Sequence, residues 1–369
     1  IFSHPLLEKL TGPGGLIYTL YDLGLKVGHS VRNIQDAVNV ANDDMQTKTS
    51  LIESRLITGD AGLFGQFQQR LEARCVRNHV GNYLQMRIGN QDARRVKFGN
   101  SALLQEPNIK NGCGGLRDYQ NLLWMTHFKY GAHTLEQLEA QGMVRPRNRR
   151  QLEVGYDFLL RTRNELHLQT KRLADDIPKA LQPKIAWQLG YKDRSPARRL
   201  EAFMRDLYTH MRTIHLITRM VERRLALRPK PARRLPSLRS FFGGGKKTET
   251  LDGFNIIDGE LVPISPRIFK DQPRRLMRVF LHAQQRGLEF HPDLTQLLRD
   301  NVSLVDDDFV HDTENHETFL EILNQRGNVA PALRAMHEVD LLGRYIPEFG
   351  RMTCLVQHEF FHAYAADEH

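Results

Sequence analysis

The chain has 369 residues, 40% hydrophobic and 26% charged, the proportions of an ordinary globular protein with two or three domains. Its net charge of +9 favours acidic partners such as nucleotides, nucleic acid or an acidic protein surface, without choosing among them. Cys75, Cys113 and Cys354 lie far apart with no CxxC, which argues against a disulfide framework or a zinc ribbon. No apolar run approaches the roughly 20 residues that span a bilayer, and no signal peptide opens the sequence. A reducing cytoplasmic setting and no membrane contact are therefore expected. The absence of an initial Met and the terminal Asp-Glu-His suggest an internal fragment.

In chain order, residues 1–20 hold an amphipathic segment, a Gly-Pro-Gly-Gly turn (Gly12 to Gly15) and a second apolar segment. GLKVGHSV then predicts a short strand with Leu25, Val27 and His29 on one face. One helix is predicted from Asn33 to about Ala41 and another from Thr47 to Ile57, ending at Gly59. About 60 residues are thin for an independent α/β core. Residues 62–106 are predicted to be helical and polar. Their basic residues (Arg70, Arg74, Arg77, Arg87, Arg94, Arg95, Lys97) allow two readings. One is a solvated helix exterior over an apolar stripe. The other is a nucleic-acid surface in which Tyr83 and Phe98 stack.

Three glycines (Gly112, Gly114, Gly115) then run into Asp118 and an apolar helical pattern. Glycine permits positive φ and close backbone approach, and the helix start behind it would present unpaired N–H groups to an anion. The competing reading is a plain helix entry with Asp118 as N-cap. Further helices are predicted over Asp118–Tyr130, Thr134–Gln141 with a Thr-x-x-Gln capping box, and 148–173. Another pair follows over 181–227, its second member starting at Ser195-Pro196. His210 and His215, five apart, share no helix face. Arg228 to Thr250, rich in Pro, Gly and basic residues, reads as a mobile linker. Asp258-Gly259 predicts a β-hairpin, and helices resume from Pro273 to Val339. His358-Glu359-Phe360-Phe361-His362 matches the zinc-protease pattern HExxH, with no suitable third ligand after it.

Lys110-x-Gly112-x-Gly114-Gly115-Leu116-Arg117-Asp118 resembles the signature of the bifunctional PII uridylyltransferase/uridylyl-removing enzymes. YDLGLKVGHSVR (21–32) and LIESRLITGD (51–60) before that signature, and FHAYAADEH (361–369) after it, match that family in the right order. The resemblance implies a mainly α chain. Residues 1–62 would be the C-terminal part of a small α/β nucleotidyltransferase domain of polymerase-β type. Residues 63–227 would be the helical domain bearing the Gly loop, 228–250 a basic linker, 251–355 a helical connector and 356–369 the lead-in to an HD phosphohydrolase domain. It also implies transfer of UMP from UTP to a tyrosine of the PII signal protein, with hydrolytic removal, Mg²⁺ (or Mn²⁺) as cofactor, and glutamine sensing by a C-terminal region not in this chain. The metal-binding Asp-x-Asp pair is expected upstream of Ile1. No such pair stands on a strand in the chain: Asp43-Asp44, Asp175-Asp176 and Asp306-Asp307-Asp308 are adjacent runs with no strand context or preceding Gly-rich turn. Glu53 is the candidate for an additional acidic group near the metals, against a solvated or Arg55-paired role. His29, Arg32 and Arg55 are candidates for the triphosphate, His29 against a buried structural role. Lys110, Gly114, Gly115, Arg117, Asp118, Arg163 and His167 are candidates for lining the nucleotide cleft, and His369 for the first, incomplete HD metal ligand. Two other classes remain: an RNA-directed nucleotidyltransferase, for which nucleic acid is the less expected partner, and a non-catalytic helical scaffold.

Overall fold

A computed structural model describes residues 9–226, 249–355 and 365–367. It is mainly helical with one small mixed sheet, and the chain divides into two compact units, 1–80 and 81–369. The expected sites at His358–His362 and His369, and all but the end of the basic linker, lie outside the described residues.

In the first unit, α1 (Leu16–Asp22) leads into an extended segment. The strand expected at GLKVGHSV is absent: residues 25–33 pair with no strand among the described residues, and an extended segment without a ladder partner is not a strand. Asn33 then caps α2 (Ile34–Asp43), its side chain accepting from Asp36 N–H. Asp44 caps α3 (Met45–Ile52) by accepting from Thr47 N–H at 2.6 Å. That helix stops five residues before the predicted Ile57, so Glu53 is its C-cap. Asp60 caps α4 (Ala61–Leu71), which runs on into a π-helical turn, Glu72–Val76. Val38, Ala41, Leu71 and Cys75 form the small core. The turn and α4 pack with α2 in this unit, which therefore extends to Val80 and past the expected boundary at residue 62.

From Gly81 on, α5 (Val80–Lys97) belongs to the second unit. After the Gly loop come α6 (Leu116–Tyr130), α7 (Leu135–Ala140) with the predicted Thr134/Gln137 capping box, and α8 (Pro146–Thr170). A short α9 (Gln182–Gln188) precedes α10 (Pro196–Ala226), which Ser195 starts as foreseen. Along α10, Phe203, Leu207, Met211, Ile214, Ile217 and Val221 are buried at helical spacing, and α10 packs on α6, α8 and α9.

The sheet follows. β1 (Glu249–Leu251), β2 (Phe254–Ile257) and β3 (Glu260–Pro263) are antiparallel, and β4 (Glu289–Phe290) adds parallel to β3. Asp258 (φ +50°) and Gly259 (φ +83°) make the predicted turn, both residues left-handed as a two-residue hairpin requires. Asp252 and Gly253 repeat this geometry between β1 and β2. Helices α11 (Ile268–Asp271), α12 (Arg275–Arg286), α13 (Pro292–Asn301), α14 (Asp307–His311), α15 (Thr313–Asn324), α16 (Val329–Glu338), α17 (Leu341–Tyr345) and α18 (Pro347–Met352) complete the unit. Their core is centred on Phe254, Phe269, Leu276, Phe280 and Leu294. No described helix is long and apolar enough to cross a membrane.

Candidate functional site

The Gly loop is folded inward. Gly114 has φ +70°, and a Cβ there would lie 1.8 Å from the Met211 carbonyl oxygen of α10, so only glycine fits. Its N–H donates to Asp118 Oδ2 at 2.9 Å. The N–H groups of Gly115, Leu116, Arg117 and Asp118 donate to the carbonyls of Gly112, Ile109, Lys110 and Gly115 at 2.9–3.0 Å. The donors expected to cradle an anion are thus spent within the loop, and Gly114, Gly115 and Asp118 are buried. Gly115 is the N-cap of α6. Asp118 sits three residues inside, one turn from the N-cap position expected of it, because its carboxylate turns back into the protein.

There Asp118 anchors a buried polar cluster. Arg94 meets its Oδ1, Arg95 approaches Oδ2 at 3.2 Å, and His215 Nδ1 stands 3.7 Å away, beyond hydrogen-bond reach. Arg95 also binds both oxygens of Glu222 at 3.0 and 3.1 Å. Gln91 bridges Glu222 to Asn121, and Arg94 reaches the Asn111 carbonyl. Burial raises the pKa of Asp118, but His215 and the guanidiniums of Arg95 and Arg94 outweigh it and hold the carboxyl well below the usual range. Burial pushes the neighbouring Cys113 thiol up to about 11, and Asp118 adds to the shift. Arg94 and Arg95 therefore are not on the solvated helix exterior. Tyr83, a candidate for stacking on bases, is buried against Phe128 at a centroid distance of 3.5 Å.

The outer edge of the loop has a different chemistry. After α8 ends at Lys171, with φ +52°, the chain returns antiparallel to residues 107–109. Ile109 N–H donates to the Asp175 carbonyl at 2.8 Å and Ile177 N–H to the Pro107 carbonyl at 3.1 Å. Asn108 and Asp176 form an isolated bridge. This pairing gathers three expected residues. Lys110 Nζ lies 3.5 Å from Asp175 Oδ2, Arg163 Nε lies 2.7 Å from its Oδ1, and the His167 ring nitrogen lies 2.9 Å from the Ala174 carbonyl. Burial raises Asp175, but the hydrogen bond and charge of Arg163, with Lys110 behind them, prevail and lower its pKa. Lys110, Arg163 and Asp175 are only partly covered, so two cations share one carboxylate at an accessible rim. An incoming phosphate would compete with that carboxylate. Arg117 is not in this group: its guanidinium lies 5.3 Å from the centre of the Trp124 ring, whose other close cation is Arg87 at 4.4 Å.

His29, Arg32, Glu53 and Arg55 belong to the first unit and are solvent-exposed. Exposure overturns the buried structural reading of His29. Arg32 lines an open cleft with Asn33, Leu56, Asp60, Phe64 and Phe67. No group of three or more His, Cys, Asp or Glu that could hold a metal occurs among the described residues. The adjacent acidic runs have other duties: Asp44 and Asp306 cap helices, Asp175 serves the cationic rim and Asp176 binds Asn108. The residues described here do not fit a Mg²⁺ or Mn²⁺ centre.

Two helical domains in series, with a cationic rim on the first, are what fold and site define. Residues 82–222 match the family model described as GlnD PII-uridylyltransferase, and residues 254–345 match that of the third domain of uridylyltransferase GlnD. The bifunctional uridylyltransferase/uridylyl-removing enzyme of Azospirillum brasilense is 32% identical over 355 residues, covering 96% of this chain and 38% of that relative. The chain belongs to the GlnD uridylyltransferase family and spans about two fifths of the length of this relative. No solved structure matches it.

Proposed function

We propose that this chain is the central part of a bifunctional enzyme that transfers UMP from UTP to the PII protein and removes it by hydrolysis. Support comes from the similarity over 96% of the chain to a relative bearing both activities in its name. In this reading Lys110 and Arg163 receive the nucleotide phosphates. Each gives up part of its contact with Asp175, and Arg163 offers the planar, two-pronged donor geometry that suits phosphate oxygens. His167, fixed on the Ala174 carbonyl, keeps the return strand in place and so positions Asp175. Carboxylates that hold a divalent metal activate the tyrosine hydroxyl and neutralise the triphosphate in such reactions; the described residues contain no such group. Glutamine is the expected effector, acting outside this chain.

The test is steady-state kinetics on the longer protein that contains this chain. Lys110→Ala and Arg163→Ala should each raise KM for UTP about tenfold, the loss of one charge-assisted contact, while removal of UMP from modified PII changes less. Unchanged KM in both variants would overturn the rim assignment. The chain alone should transfer no UMP to PII, and measurable transfer by it would overturn its reading as part of a larger catalyst.

A further inference from the structure

A cavity of about 420 Å³ lies between α10 of the first matched domain and α12, α13 and α16 of the second. It is unconnected with the loop rim: none of Lys110, Arg163, His167 or Asp175 lines it. Its wall combines apolar surface, including Met220, Phe280, Phe290 and Val339, with four arginines, Arg219, Arg223, Arg299 and Arg334.

The charges do not cancel. Two carboxylates face the same space, and both are engaged: Glu338 with Arg219 at 3.0 Å and Glu289 with Arg223 at 2.8 Å, and Arg223 also holds Glu260, outside the cavity, at 2.9 Å. Arg299 is left to donate to the backbone carbonyl of Glu338 at 3.1 Å. Arg334 is exposed and has no carboxylate partner among the described residues. Burial lowers the pKa of Arg299, and the charges of Arg212 and Arg219 lower it further against the opposing pull of Asp340 and Glu338. The lining side chains still carry more positive than negative charge, and where water is partly excluded an added anion gains most.

The wall is also braced from behind. Gln284 is buried, and its Nε2 donates to the carbonyls of Ile322 and Asn328, both at 3.0 Å. Two carbonyl acceptors fix which end of the amide is nitrogen, so Oε1 is the end left buried without a hydrogen bond. That oxygen has almost no accessible surface, so Gln284 braces the wall without offering an acceptor to the cavity.

We infer that this cavity is a second ligand site for a small phosphorylated ring compound of nucleoside-monophosphate type. The phosphate would sit on Arg299 and Arg334, and the ring would lie against the apolar wall. Because the walls come from both matched domains, a bound ligand would favour the closed seam between them.

UMP and AMP, with uridine as the uncharged control, can be titrated into this chain by calorimetry. At least one monophosphate should bind saturably at one site, and uridine should bind about tenfold more weakly or not at all. Arg334→Ala, at an exposed side chain that folding does not need, should weaken binding about tenfold. Ala335→Trp should block it by filling the cavity, with circular dichroism confirming the fold. In a Lys110→Ala background the binding that depends on Arg334 should persist, which separates this site from the loop rim. The inference is overturned if neither monophosphate binds, if Arg334→Ala binds as the unaltered chain does, or if binding is lost only in Lys110→Ala.

Discussion

Asp118 is fully buried, yet its two oxygens face Arg94, Arg95 and the His215 ring. Its folded pKa lies below the unfolded value of about 3.9. It therefore contributes stability at every pH above that value, and the contribution is lost as the pH falls from about 4 toward the lower folded value. Glu222 works the other way: burial raises its pKa, against the charge of Arg95, so its ionised form costs stability once the pH exceeds its unfolded value. Removing the Asp118 charge leaves Arg94 without its carboxylate and Arg95 with Glu222 alone in a buried site. Asp118→Asn should cost about 3–5 kcal/mol at neutral pH and flatten the acid limb of a stability–pH curve measured in urea. An acid limb as steep as that of the unaltered chain would contradict the assignment. None of this could be read from sequence. Arg94 and Arg95 look like any pair on a polar helix, and only the fold brings Glu222 to them from 127 residues away. The weak apolar stripe of the helix they belong to was the available hint.

At the scale of elements, local rules carried far. The Thr134 capping box, the Ser195-Pro196 start of α10 and the Asp258-Gly259 hairpin each depend on a few neighbouring residues, and each is found. Asp252-Gly253 carries the same turn signal as Asp258-Gly259, but β1 lies at the edge of a Pro-, Gly- and Lys-rich stretch, with Glu249 and Thr250 inside the expected linker. The strand expected over Gly24–Val31 is absent for the opposite reason, since alternation does not supply a partner. The Gly loop is the sharpest case. Its composition fits an open anion cradle and a tight packing joint equally, and the deciding contact, Gly114 against Met211, is made across 97 positions. A methyl group there collides with backbone and also demands an unfavourable φ. Gly114→Ala should therefore destabilise the second unit by more than about 3 kcal/mol, read as a shift in the denaturation midpoint. A shift below about 1 kcal/mol would contradict the close approach. Of the expected site, Lys110, Arg163 and His167 do gather, because the return strand after α8 places them together.

At the scale of the second unit, the two matched domains meet through a row of ion pairs. Arg212 reaches Asp340 at 3.0 Å, Arg219 reaches Glu338 at 3.0 Å, Arg223 reaches Glu260 at 2.9 Å and Arg224 reaches Asp293 at 2.9 Å. Four arginines of one helix thus hold carboxylates from several elements of the next domain. Partly exposed pairs contribute about 0–1 kcal/mol each and are screened by salt. Raising sodium chloride from low concentration to about 1 M should lower the Tm of this unit by a few degrees. Arg212→Met combined with Arg219→Met should remove most of that salt sensitivity. A Tm that is unchanged or rises with salt in the unaltered chain would show that apolar packing alone closes the seam.

The chain has two tryptophans, and they stand in opposite environments. Trp124 is 7% exposed between Arg87 and Arg117, whereas Trp187 is 45% exposed beneath Lys192 and Arg199. The intrinsic fluorescence therefore divides into two channels: a red-shifted emitter that an aqueous quencher reaches, and a shielded one that it does not. Quenching selectively silences Trp187 and leaves Trp124 to report on α6 behind the Gly loop, with no dye attached.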